Sequence, residues 1–67
     1  MEEGDVRFLA RVYEKVARMN ALLVEVEGMK VANQKRVSEG YPLAYNDTFF
    51  TDTADTIYEL AMELKEL

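Results

Sequence analysis

The chain has no cysteine, no histidine and no tryptophan, and only one proline and three glycines among its 67 residues. Without cysteine there are no disulfides, and without cysteine or histidine the two commonest zinc ligands are missing. The same absence removes the usual general base, the usual nucleophile and the residue that titrates near neutral pH. A carboxylate pair such as Glu59 and Glu63 could move protons only inside a pocket, and so short a chain has little material to build one. No glycine-rich phosphate loop and no dinucleotide fingerprint is present. Asp47, Asp52 and Asp55 cluster, but not at the spacing of a calcium loop and with no glycine at its centre. The residues therefore predict no enzyme, no cofactor and no metal.

Long apolar runs are also missing. The longest, Ala21 to Val24, falls far short of a membrane span, so no membrane partner is expected. The first five residues are acidic where a signal peptide would be basic, which predicts a cytoplasmic protein. Cations are few: eight Lys and Arg stand against thirteen Asp and Glu, for a net charge of −5. The imbalance is uneven, at −2 over residues 1–27, +2 over residues 28–45 and −5 over residues 46–67. Direct nucleic-acid binding needs a broader basic surface than this, and Lys30, Lys35 and Arg36 would serve only if a dimer brought them together.

What the chain does have is a helical pattern. From Asp5 to Val37 there is no proline and a single glycine, Gly28. Alternating steps of three and four from Leu9 meet Val12, Val16, Met19, Leu23 and Val26, then the less apolar Lys30 and Asn33. This spacing predicts one long helix of about 50 Å with an apolar seam. Asp5 is the expected N-cap, with Glu2, Glu3 and Asp5 favoured by the helix dipole and Glu14–Arg18 a favourable pair. The alternation from Val24 to Val31 leaves a short β-hairpin or a break at Gly28 as alternatives.

Gly40 and Pro42 supply a stop. An apolar loop follows, with Tyr41, Leu43, Tyr45, Phe49 and Phe50, and with Asn46-Asp47 as its turn. A second helix is expected from Thr51 or Asp52, with an apolar stripe of Ile57, Leu60, Ala61, Leu64 and Leu67. The chain is thus read as one all-α helical-hairpin domain over residues 1–67.

A second helix of about 16 residues spans only roughly 24 Å. Folded back from the loop, it is expected to cover α-helical turns between Ala21 and Val37 and to leave Leu9, Val12, Val16 and Met19 uncovered. Small chains without disulfides or metals commonly lean on a partner subunit. A homodimeric four-helix bundle is therefore expected, with Leu9, Val12, Val16, Met19, Leu23 and Val26 as its interface. A chain broken at Gly28 could instead close on itself as three short helices.

Two charge stripes complete the reading. Arg7, Arg11, Lys15 and Arg18 lie at helical spacing on the first helix, and Asp52, Asp55, Glu59, Glu63 and Glu66 on the second. In a single hairpin the basic stripe is expected to lie too far along the rod to meet the acidic one. The stripes are read first as two solvated faces, with pairing between subunits through Arg7, Arg11, Lys15 and Arg18 as the alternative. The loop aromatics are expected to plug the end of the bundle and pin the turn. The alternative makes Tyr41, Tyr45, Phe49 and Phe50, with Asp55, Glu59, Glu63 and Glu66, a candidate surface for an outside partner. The expected function is a non-enzymatic protein–protein interaction module that associates with itself. The alternative is an acidic inhibitor or adaptor that occupies the basic site of a nucleic-acid-handling protein.

Overall fold

The computed structural model describes residues 3–67, as two antiparallel α-helices joined by a short loop. Helix α1 runs Glu3–Ser38 and α2 runs Asp47–Glu66, with residues 39–46 between them. Helix α1 passes through Gly28 without interruption, so neither the hairpin nor the break occurs. A mid-helix glycine costs about 1 kcal/mol, which the long helical stretches on either side outweigh. The helix is already under way at Glu3, so Asp5 lies in its first turn and is not its cap. It still favours the positive end of the helix dipole. Met1 and Glu2, part of the expected lead-in, lie outside the described residues.

The stop at Gly40 is built as the residues predict. Gly40 takes φ +79°, the Tyr41 N–H donates to the Arg36 carbonyl at 2.9 Å, and the Gly40 N–H donates to Val37 at 3.1 Å. This is a Schellman ending, which satisfies the last carbonyls of α1 and turns the chain back.

Helix α2 begins earlier than Thr51. Asn46 caps it from an extended conformation, its Oδ1 accepting the Thr48 N–H at 3.0 Å and the Phe49 N–H at 3.4 Å. Asn46-Asp47 is therefore a helix start and not a loop turn, and Phe49 and Phe50 belong to the first turns of α2. At 20 residues, α2 is about 30 Å long.

Two contacts fix the register. The Asn33 side chain meets the Tyr45 backbone, and Lys15 meets Glu63. Asn33 to Lys15 and Tyr45 to Glu63 are both steps of eighteen residues, so the helices run in one unbroken antiparallel register. In that register α2 ends level with Arg11 and Val12. The expectation that it would reach only to Ala21 is corrected: the earlier start and the short loop carry it past Val16. The uncovered part of α1 is residues 3–10.

The result is a single layer, 57 × 18 × 9 Å. Its radius of gyration is 16.6 Å, against about 11 Å for a compact chain of this length. Among the described residues only Leu22 is buried, at 5% exposure.

Candidate functional site

The inward face of α1 is made by Val12, Lys15, Met19, Leu22, Val26, Met29 and Asn33, all at least half-buried. Their spacing alternates three and four, which keeps one stripe turned to the partner helix. From α2 they meet Phe50, Thr53, Ile57, Leu60 and Leu64. The inward threonines bring no unmet polar group: Thr53 donates to the Phe49 carbonyl at 2.8 Å, and the neighbouring Thr56 to Asp52 at 3.0 Å.

This inward stripe differs in phase from the expected seam. Val12, Met19 and Val26 are shared between the two, and Leu9 is half-buried beyond the end of α2. Val16 and Leu23 turn away from the hairpin contact, at 39% and 53% exposure. Leu22 and Met29 take the inward places. The six seam residues are thus divided between a face that closes the hairpin and a face that remains open.

Successive residues of a helix turn by about 100°. Seen end-on, antiparallel helices wind in opposite senses, so the residue after each inward position turns to the same edge on both. On α1 these are Tyr13, Val16, Asn20 and Leu23, and on α2 Ala54, Tyr58 and Ala61. Lys65, the residue after Leu64, stands on the same edge of α2, level with Tyr13. Further along the same edge, Glu27 and Lys30 pair with each other at 3.1 Å. The residue before each inward position turns to the other edge, which holds Arg11, Glu14 and Arg18 with Asp52, Glu59 and Glu63. The hairpin has one sparsely charged edge and one densely charged edge.

Lys15 Nζ donates to Glu63 Oε2 at 3.1 Å, within one chain. The basic stripe is therefore not beyond the reach of α2, because α2 is longer than expected. Arg7 pairs along its own helix with Glu3. Among the described residues Arg11 and Arg18 have no carboxylate at ion-pair distance, and the favourable Glu14–Arg18 spacing is not used. Asp52, Asp55, Glu59 and Glu66 likewise have no cation at that distance among the described residues.

The loop aromatics separate into two groups. Tyr45 is half-buried, held by Asn33, and meets the Phe49 ring edge-on with centroids 5.4 Å apart. Phe50 turns partly inward, whereas Tyr41, Leu43 and Phe49 are exposed. Lys35, Arg36, Glu39, Tyr41 and Tyr45 line a shallow open groove at this end. Among the described residues no cluster of three or more metal-ligating side chains forms, and no helix is long and apolar enough to cross a membrane. The inward phase was the feature hardest to find beforehand, because Lys15 and Asn33 interrupt it with polar residues. Comparison of the chain with protein-family models, with curated proteins and with solved structures finds no match.

Proposed function

We propose that this chain is a non-enzymatic protein–protein interaction module that associates with itself through α1, as a homodimeric four-helix bundle. The observation that carries the reading is the single layer: a 9 Å thick hairpin with one buried side chain among the described residues has little core of its own. Leu9, Val16 and Leu23 recur every seven residues and remain exposed or half-exposed, which a lone chain has little reason to maintain. In a four-helix array each helix meets two neighbours through stripes about 90° apart. The inward stripe and the Val16–Leu23 stripe of α1 stand in that relation.

The test is solution mass by light scattering after size exclusion, with Val16→Glu beside the parent chain. The parent is expected at twice 7.7 kDa, and the variant at the mass of one chain. A parent that runs as a single chain at every concentration would sink the proposal.

One observation favours a second reading, the acidic adaptor for a basic site on a nucleic-acid-handling protein. Asp52, Asp55, Glu59 and Glu66 have no cation at ion-pair distance among the described residues. On this reading, reversing Glu59 and Glu66 to lysine abolishes capture of a basic partner and leaves self-association unchanged.

A further inference from the structure

We infer that the second copy seats on the sparsely charged edge and so touches both helices, with Tyr13 and Tyr58 as its anchors. The inference rests on the self-association proposed above and adds α2 to the contact. Tyr13 and Tyr58 are among the most exposed large side chains, at 68% and 66%, and both turn to this edge. With them stand Val16 and Leu23 from α1 and Ala54 and Ala61 from α2. Exposed tyrosines among small and branched apolar residues, with Lys65 at one end and the Glu27–Lys30 pair at the other, resemble the composition of an interface centre. The opposite edge carries Arg11, Glu14 and Arg18 against Asp52, Glu59 and Glu63, and burying it would strip water from many charges.

The exposed area of the chain is large enough for such an occupant. The chain exposes 5409 Å², whereas a compact protein of its mass exposes about 4,300 Å². The excess of about 1,100 Å² exceeds the roughly 800 Å² that a standard interface takes from each partner. A second copy brings an edge of the same kind and of equal length, so the contact is self-complementary under a twofold axis.

The experiment compares Ala61→Arg and Glu59→Lys by light scattering, with circular dichroism to follow helix content. Ala61→Arg is expected to halve the mass with the helices retained, and Glu59→Lys to leave the dimer intact. Tyrosine nitration of the unaltered chain gives an independent readout. Tyr13 and Tyr58 are expected to lose reactivity as chain concentration rises, with Tyr41 unchanged. A dimer in which Ala61→Arg is silent and Tyr13 and Tyr58 react like Tyr41 overturns this edge as the contact, while self-association stands. A parent chain that never dimerises overturns both.

Discussion

Asn33 holds Tyr45 by its backbone: Nδ2 donates to the Tyr45 carbonyl at 2.8 Å, and Oδ1 accepts the Tyr45 N–H at 2.9 Å. One side chain on α1 thereby satisfies both backbone groups of the last well-packed loop residue. This is the clasp that sets the register at the loop end, twelve residues away in sequence.

Replacing Asn33 by alanine removes both bonds and leaves two part-buried backbone groups without partners. The expected loss is about 1–3 kcal/mol, read as a lower thermal midpoint at equal chain concentration. Asn33→Asp keeps the acceptor and loses the donor, so it is expected to fall between alanine and the parent. An unchanged midpoint for alanine would mean the clasp is incidental.

The glycines are expected to respond in opposite directions. Gly40 is at φ +79°, and a side chain there costs about 1–2 kcal/mol. Gly28 is helical with nothing within 4 Å of an added Cβ, and Gly28→Ala is expected to gain about 1 kcal/mol. Urea melts of the two variants separate these effects by sign.

Lys15 is half-buried and Glu63 exposed, so their pair is modest. A double-mutant cycle is expected to give a coupling of about 0.2–1 kcal/mol that shrinks as salt is raised. Exchanging the two residues should restore most of it. A coupling above that range would mean the pair is more desolvated than this geometry implies.

Leu22 and Leu23 are neighbours with different work. Leu22→Ala is expected to cost about 2–3 kcal/mol, the low end for a buried leucine, because this hairpin has few walls around the cavity. Leu23→Ala is expected to leave helix content unchanged and weaken self-association. Equal effects of both on the thermal midpoint and on the mass would erase the distinction between the two faces.

Much of this architecture was legible in the residues. The continuity of α1, the stop at Gly40 and the apolar stripe through Ile57, Leu60, Ala61 and Leu64 follow from spacing and glycine chemistry. The start of α2 did not, because Thr51 and Asp52 are caps as plausible as Asn46, and Phe49-Phe50 looks like the plug of a loop. The phase of the inward stripe was obscured for a physical reason. Lys15 can lie along an apolar surface with its ammonium at the rim, and Asn33 is inward because it bonds backbone. A count of apolar residues passes over both and settles on Val16 and Leu23, which belong to the other face.

The single layer also ties the survival of the chain to its abundance. With Leu22 the one buried side chain among the described residues, an unpartnered copy has little holding its helices closed. Its backbone amides exchange and its peptide bonds lie open to proteases. Association raises apparent stability by mass action, so on this reading copies made together protect one another and copies left scarce are cleared. If the chain does self-associate, its lifetime follows its copy number.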